Sequence, residues 1–321
     1  MSIGSFTHPI RMLAGISNST KPKESEMSTN VLTSSSSDLP ATGTSVDAPA
    51  LEAGTPDFSA IKSKQNAAWS SGDYAKIGVT LQIVGEELAE AVNPVPGSRV
   101  LDVAAGNGNA TLAFARRWCD VTSTDYVQSL LDGGRRRAEA ERLEVAFQTA
   151  DAEDLPFADG SFDNVVSTFG VMFTPNQKQS AAEMIRTCRS GGKIAMANWT
   201  PEGFIGTLFK TLGKRVPPPA GVSSPALWGT GDWIEEQFSP DALDITMKLK
   251  SFNFRYRSPE HFIEFFRVFY GPVRKAFMAL DKGGQIALYN DIYAAVDRFN
   301  QATDGSMIVP SEYAEVIVTR R

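Results

Sequence analysis

The chain has 321 residues, of which 42% are hydrophobic and 21% charged, and its formal net charge is −6 at pH 7. These values are typical of a globular protein, and the negative charge argues against a nucleic-acid-binding surface. Two cysteines and two histidines are too few to indicate a disulfide framework or a metal site. Since no apolar run reaches roughly 18 residues, we expect no membrane span.

Residues 1–56 are rich in Ser, Thr, Pro and Gly and poor in aromatic residues. Such a segment buries too little apolar surface to offset its ordering entropy, so we predict a disordered tail. Its first 23 residues contain Arg11, Lys21 and Lys23 but no acidic residue, a composition similar to that of a mitochondrial transit peptide. A plain flexible tail and a cytoplasmic location are the favoured interpretation.

The ordered part of the chain is predicted to begin at residue 57. Apolar residues around Trp69 and Tyr74 recur at near-helical spacing up to residue 79, with an interruption at Ser71-Gly72. An amphipathic helix is predicted over residues 81–92, because the sequence Asn93-Pro94 that follows cannot continue a helix.

A glycine-rich turn follows the first predicted strand. Residues 99–104 are predicted to form a buried strand, residues 105–109 a tight turn, and residues 109–118 a helix. This unit presents backbone N–H groups and a helix N-terminus at the carboxyl edge of a sheet, where α/β proteins bind nucleotide-like ligands. The turn Gly106-Asn107-Gly108 lacks the third glycine of the dinucleotide-binding pattern, and Asp102 before it would repel a pyrophosphate. The unit therefore favours a ligand with a cationic part.

Acidic residues also follow the next two predicted strands. Asp125 ends the strand over residues 120–124, where a carboxylate can accept both ribose hydroxyls of a nucleoside. Asp151 follows the strand over residues 143–149, and together with Ala152 it can bind the polar edge of an adenine. The ends of three successive strands thus predict one site for an adenosine-containing ligand.

Residues 151–163 read D-A-E-D-L-P-F-A-D-G-S-F-D, and V-V-S-T-F-G follows over residues 165–170. With the Asp102–Gly108 motif, this run resembles the class I S-adenosylmethionine-dependent methyltransferases, in particular the type 11 branch that is similar to ubiquinone and menaquinone biosynthesis enzymes. The resemblance covers about residues 57–199. Ala105, Asn107 and the absence of a proline before Gly191-Gly192 are mild departures from the family pattern.

The resemblance implies an α/β fold: a Rossmann-like, seven-stranded doubly wound sheet that ends in an antiparallel strand pair. It implies S-adenosyl-L-methionine as the cofactor and a leading segment that lies over it, although packing of Trp69 in the core is an equal alternative. The implied cofactor-binding residues are Trp69, Tyr74, Asp102, Ala104, Gly106, Asn107, Gly108, Asp125, Tyr126, Asp151, Ala152, Glu153 and Phe169.

The remaining elements are predicted from periodicity. Residues 204–212 are predicted to form an apolar helix, and the proline-rich residues 216–228 a lid over the acceptor. Alternation over residues 244–257 changes parity, which predicts a β-bulge near Lys250-Ser251. Three helices then precede a closing strand over residues 313–319. We divide the predicted methyltransferase domain, 57–321, into a cofactor-binding core (57–199), a lid and helical acceptor-side region (200–306) and a closing strand (307–321).

Two features after residue 258 bear on the acceptor. Four phenylalanines on the first of the three helices (Phe262, Phe265, Phe266 and Phe269) favour core packing over an acceptor pocket. His261 is a candidate general base, and a surface histidine is the alternative.

The predicted function is methyl transfer to a small organic acceptor by in-line displacement. The alternatives are a cofactor-binding protein of the same fold without turnover and, less favoured, an NAD-dependent oxidoreductase. The acceptor and the oligomeric state stay open.

Overall fold

The computed structural model describes residues 56–321, so the predicted disordered tail, apart from its last residue, lies outside the described residues. The strands are β1 (Arg99–Val103), β2 (Asp120–Asp125), β3 (Ala146–Thr149), β4 (Phe162–Thr168), β5 (Cys188–Trp199), β6 (Ala242–Tyr256) and β7 (Met307–Arg320). The helices are α1 (Phe58–Ser70), α2 (Ala75–Gly78), α3 (Gln82–Val92), α4 (Asn109–Ala115), α5 (Gln128–Glu141), α6 (Gln177–Thr187), α7 (Phe204–Arg215), α8 (Gly231–Phe238), α9 (Pro259–Phe269), α10 (Gly271–Ala279) and α11 (Lys282–Phe299).

The strands form one seven-stranded sheet in the order β3-β2-β1-β4-β5-β7-β6. β1 to β5 are parallel, and β7 lies antiparallel between β5 and β6. The chain moves outward in opposite directions from the β1–β4 boundary, and such a switch point opens a crevice at the carboxyl ends of the strands. This topology confirms the predicted fold class, including the antiparallel pair and the helices inserted between β6 and β7.

The central strands are buried on both faces, which is why β1 reads as a nearly continuous apolar run. Val100, Leu101 and Val103 are fully buried. Asp102 is also fully buried within this run. A carboxylate at such a position costs folding free energy unless it is hydrogen-bonded, so its place in β1 calls for a structural or functional reason.

The predicted β-bulge near Lys250-Ser251 is wrong. Lys250 pairs with Tyr313 and Ser251 with Glu312 in uninterrupted antiparallel register, and the β6–β7 register shifts only between Ala242 and Asp244.

The apolar residues of β6 change parity because the two halves of the strand are covered on opposite faces. Ile245 and Met247 pack against the core on one face, whereas Phe254 contacts Phe266 of α9 on the other. Alternate side chains of a regular strand point to opposite faces. When the covered face changes partway along the strand, the apolar residues change parity in the sequence just as they would at a β-bulge.

The helix after β6 begins as predicted. The side chain of Ser258 accepts a hydrogen bond from the backbone N–H of His261, and Pro259 occupies the first helical position. The strand predicted from periodicity over residues 313–319 begins earlier in the structure, since β7 starts at Met307. The division of residues 57–321 into three functional parts stays a prediction.

None of the helices found in residues 56–321 combines the length and the apolar character required to cross a bilayer.

Candidate functional site

A cavity of about 1060 Å³, which includes its open mouth, lies at the carboxyl edge of the sheet. Its lining is polar at one end of the strand order and aromatic at the other. The side that follows β1, β2 and β3, together with α1, carries the charged and amide groups, and we call it the polar half: Lys62, Asn107, Asp125, Tyr126, Asp151 and Glu153. The side formed by β4, β5, β6, α7 and α9 we call the aromatic half: Phe169, Phe173, Trp199, Ile205, Phe254, Phe266 and Tyr270.

The turn after β1 adopts left-handed backbone conformations. Ala104, Gly106 and Gly108 have φ angles of +53°, +57° and +83°, so the two glycines occupy positions that favour a residue without Cβ. Ala104 and Gly106 line the cavity, whereas Gly108 does not and instead precedes α4 as its N-cap residue. In this structure Gly108 therefore shapes the backbone of the turn, and its predicted contact with the cofactor stays a prediction.

Asn107 presents an amide to the cavity from this turn. It is almost fully buried, yet its Nδ2 has no hydrogen-bond partner among the described residues. A buried amide without a partner carries a desolvation cost. Its position in the cavity lining makes Nδ2 a donor suited to a ligand.

The structure places Asp102 beneath the turn, outside the cavity lining. Its Oδ2 accepts hydrogen bonds from the backbone N–H of Thr111 at 2.8 Å and from Thr111 Oγ1 at 2.6 Å. Burial is the main reason that its pKa rises to about 7, although the bonds from Thr111 act in the opposite direction. Asp102 therefore fastens the first turn of α4 to β1, and its predicted contact with the cofactor stays a prediction. Its Oδ1 has no partner among the described residues.

Asp125 faces the cavity from the end of β2. Its Oδ2 accepts from the backbone N–H of Gly106 at 2.9 Å, and its Oδ1 accepts from the N–H of Val127 at 2.8 Å. Burial raises its pKa to about 6, partly offset by these backbone bonds. Each carboxylate oxygen has two lone pairs, so both retain capacity to accept from a ligand while the backbone fixes their direction.

Asp151 and Glu153 are held by a lysine that the sequence analysis did not identify. Lys62 Nζ of α1 lies 2.6 Å from Asp151 Oδ2 and 3.0 Å from Glu153 Oε2. Burial lowers the pKa of Lys62, but the bonds to both carboxylates outweigh it and the net shift is upward. Asn66 of the same helix donates to the carbonyl of Tyr126 at 2.9 Å. These contacts fasten α1 across the ends of β2 and β3.

Two aromatic residues of the leading segment form part of the cavity wall. Trp69 packs edge-on against Tyr74, Phe173 and Tyr270, with ring centroids 5.2–5.7 Å apart. Both Trp69 and Tyr74 line the cavity. Trp69 also packs against the main apolar core. The same side chain therefore both lines the cavity and packs in the core.

The aromatic half begins with two parallel rings. Phe169 stacks on Trp199 with 3.9 Å between centroids and 4° between planes. Phe169 has φ +58°, and a Cβ on the next residue, Gly170, would lie 2.0 Å from the carbonyl oxygen of Ala104. The loops after β1 and β4 are thus in backbone contact.

Most of the aromatic half was missed by the sequence analysis. Phe169 was predicted, but Trp199, Phe254, Phe266 and Tyr270 were not assigned to the site. Phe262, by contrast, is fully buried and does not line the cavity, so the prediction of core packing describes it correctly. Phe266 both packs in the core and lines the cavity. The spacing of four residues between Phe266 and Tyr270 was the only sequence signal that the two side chains lie on the same face of a helix.

Two acceptor-side predictions lie away from the cavity. His261 Nδ1 accepts from the backbone N–H of Arg257 at 3.3 Å, its ring packs on Tyr256, and the residue does not line the cavity. Residues 216–228 likewise contribute no lining residue. The cavity wall instead includes residues of α1 and Tyr270, which lies between α9 and α10.

Comparison with known proteins identifies relatives for most of the described chain. A family model described as a methyltransferase domain matches residues 100–192. An uncharacterized protein of Mycobacterium tuberculosis is 39% identical over 222 residues, which cover 66% of this chain and 78% of that protein. A demethylmenaquinone methyltransferase of Deinococcus radiodurans is 32% identical over 178 residues, which cover 53% of this chain and 73% of that protein.

Among solved structures, a putative methyltransferase from Bacillus halodurans superposes with a TM-score of 0.50 at 18% sequence identity, over 73% of this chain and 96% of that one. At this identity the similarity concerns the fold alone. The sequence relatives carry the assignment to a family.

Proposed function

The chain belongs to the class I S-adenosylmethionine-dependent methyltransferases, and we propose that its cavity holds the cofactor in the polar half and a small organic acceptor in the aromatic half. The change in lining across the strand order is the observation that carries this proposal. Asp125 and Asp151 follow the strands on one side of the switch point, whereas Phe169 and Trp199 follow those on the other.

The polar half fits an adenosine that bears a cationic side chain. We assign Asp125 to the ribose hydroxyls, because backbone N–H groups orient both of its oxygens and the residue lines the cavity. Asp151 and Ala152 are assigned to the adenine, with Tyr126 and Glu153 beside it. The backbone of Ala104 and Gly106 and the unpartnered amide of Asn107 are assigned to the amino-acid part.

S-adenosylmethionine supplies a methyl group on a positively charged sulfur, which a nucleophile displaces in line. The protein therefore has to orient the acceptor and exclude water. We assign Trp69, Tyr74 and Phe169 to this orientation, because all three line the cavity. No role is assigned to His261, because it does not line the cavity.

The test of this proposal is incubation of the full chain with S-adenosylmethionine carrying a labelled methyl group and a panel of phenols, enols, amines and thiols. Transfer of label to an organic acceptor, with stoichiometric S-adenosylhomocysteine, is the expected result. Tight binding of S-adenosylhomocysteine without transfer to any acceptor would favour the alternative of a binding protein without turnover. The cytoplasmic location stays a prediction.

A further inference from the structure

We propose that the acceptor is a flat, uncharged, conjugated molecule bearing an oxygen, and that Tyr270 determines this specificity by donating a hydrogen bond to that oxygen. The inference rests on the proposed function and deepens it. Three features of the aromatic half support it: the distribution of charge, the orientation of the rings and the state of the Tyr270 hydroxyl.

Charge is confined to one half of the cavity. The charged lining residues are Lys62, Asp125, Asp151 and Glu153, all of which either follow β2 and β3 or contact residues that do. β4, β5, β6, α7 and α9 contribute no ionised side chain to the lining. An acceptor with a net charge would therefore lose hydration in the aromatic half without gaining a counterion, which is unfavourable.

The rings form closely spaced planar surfaces. Trp199, already stacked on Phe169, has the ring of Phe254 at 5.7 Å and 36°. The rings of Phe266 and Tyr270 are 5.1 Å apart. Phe254, Phe266 and Tyr270 are buried, so these surfaces are held by packing. Aromatic rings gain most from offset or edge contacts with another ring, which favours a flat conjugated acceptor over a saturated one.

Tyr270 supplies a hydroxyl that is not used by the protein. Its hydroxyl has no hydrogen-bond partner among the described residues, while its ring contacts Trp69, Tyr74 and Phe266. Burial raises the pKa of Tyr270 well above its ordinary value, with a smaller contribution from Tyr74. The hydroxyl therefore stays protonated near neutral pH and acts as a donor, for which an oxygen of the acceptor is the natural partner.

The aromatic half also lacks a group that would remove a proton from the acceptor. The titratable groups that line the whole cavity are the four charged residues named above and three tyrosines, Tyr74, Tyr126 and Tyr270. In the transfer, the acceptor's nucleophilic atom forms a bond to the methyl carbon, the carbon–sulfur bond breaks with its electron pair kept by sulfur, and a proton on the nucleophile leaves to water. Acceptors that bind in the neutral form, and whose hydroxyl is acidic enough to lose its proton as the bond to the methyl carbon forms, are therefore favoured; phenols and enols are of this kind.

The test compares the wild-type chain with Tyr270→Phe, which keeps the ring, and with Tyr293→Phe. Tyr293 is a control on α11 that is 37% exposed and does not line the cavity. The probes are 7-hydroxycoumarin, its sulfonated derivative and a saturated bicyclic alcohol of similar size. With the wild type we expect methylation of 7-hydroxycoumarin and a kcat/KM at least tenfold lower for the other two. Loss of one neutral hydrogen bond predicts a KM for 7-hydroxycoumarin that is raised roughly three- to tenfold in Tyr270→Phe, with unchanged affinity for S-adenosylhomocysteine.

The outcomes separate this inference from the proposed function. Preference for the sulfonated or the saturated probe, or no transfer to 7-hydroxycoumarin by a chain that binds S-adenosylhomocysteine, would overturn the inference and leave the proposed function in place. An equal change in Tyr270→Phe and Tyr293→Phe would overturn the role of Tyr270. Failure of the wild type to bind S-adenosylhomocysteine would overturn the proposed function and the inference together.

Discussion

The ring of Phe169 lies parallel to that of Trp199, with 3.9 Å between their centroids. Phe169 directly follows β4 and Trp199 is the last residue of the neighbouring parallel strand β5, and Tyr313 of β7 packs edge-on against both rings. The stack thereby joins the parallel part of the sheet to the antiparallel pair within the aromatic half of the cavity.

Phe169→Leu should impair transfer more than cofactor binding. Leucine loses the ring stacking, whose contribution is about 0.5–1.5 kcal/mol beyond area burial, and leaves the polar half intact. We expect a lower kcat/KM for the acceptor, a small decrease in thermal stability and little change in affinity for S-adenosylhomocysteine. Phe157→Leu is the control, since Phe157 pairs with Phe162 and does not line the cavity. A larger loss of cofactor affinity than of transfer would contradict this account.

Gly170→Ala should destabilise the fold strongly. A Cβ at Gly170 would lie 2.0 Å from the carbonyl oxygen of Ala104, so the loops after β1 and β4 would have to separate. We expect a loss of at least about 2 kcal/mol in the free energy of unfolding, measured by urea denaturation. Gly213→Ala is the matched control, because its Cβ would meet open space within α7. That control should be neutral or stabilising by up to about 1 kcal/mol, and equal effects at both glycines would contradict the prediction.

Binding of S-adenosylhomocysteine should weaken as the pH falls through about 6. Burial raises the pKa of Asp125 to about 6 in the free protein, and the ionised carboxylate is the better acceptor for ribose hydroxyls. At pH 5 about one site in ten would be ionised, so the affinity should be roughly tenfold lower than at pH 7.5. The raised pKa has the opposite consequence for folding: ionisation of Asp125 costs stability as the pH rises from about 4 to 6.

Titration calorimetry at several pH values measures this dependence. Asp125→Asn removes the titrating group and should flatten the profile around pH 6. A wild-type affinity that does not change between pH 5 and 7.5 would contradict the assignment of Asp125.

Lys62→Met should loosen α1. Lys62 joins this helix to Asp151 and Glu153. The three side chains are partly exposed or lie at the cavity, so we expect a change in overall stability of less than about 1 kcal/mol. Local opening should increase, which hydrogen–deuterium exchange over residues 58–70 would detect. Lys64→Met on the same helix is the control, because Lys64 is exposed and makes no ion pair within residues 56–321. Equal exchange in the two variants would contradict the role of Lys62.

The part of the fold that binds the cofactor was predictable because its signals are local. The turn after β1 and the acids at Asp125 and Asp151 occur next to the strands that position them. Strand alternation and glycine placement reveal such elements from a short stretch of sequence.

The acceptor side was not predictable in the same way. Trp199, Phe254 and Tyr270 come from three distant parts of the chain and meet only through the sheet order, in which β7 inserts between β5 and β6. The ion pair of Lys62 with Asp151 spans 89 residues and leaves no local pattern. For Asp102 the sequence motif was recognisable, but the motif alone does not reveal the partner of the carboxylate. In the structure Asp102 accepts a hydrogen bond from Thr111 beneath the turn.

Calorimetric titration of the wild type and Asp125→Ala with S-adenosylhomocysteine measures whether Asp125 binds the cofactor. We expect one site per wild-type chain, no binding of NAD, and an affinity lowered by about 1–3 kcal/mol in the variant through lost hydrogen bonds to a charged group. Equal affinity of the two proteins would show that the ribose does not lie at Asp125, and binding of NAD in place of S-adenosylhomocysteine would contradict the assigned site as a whole.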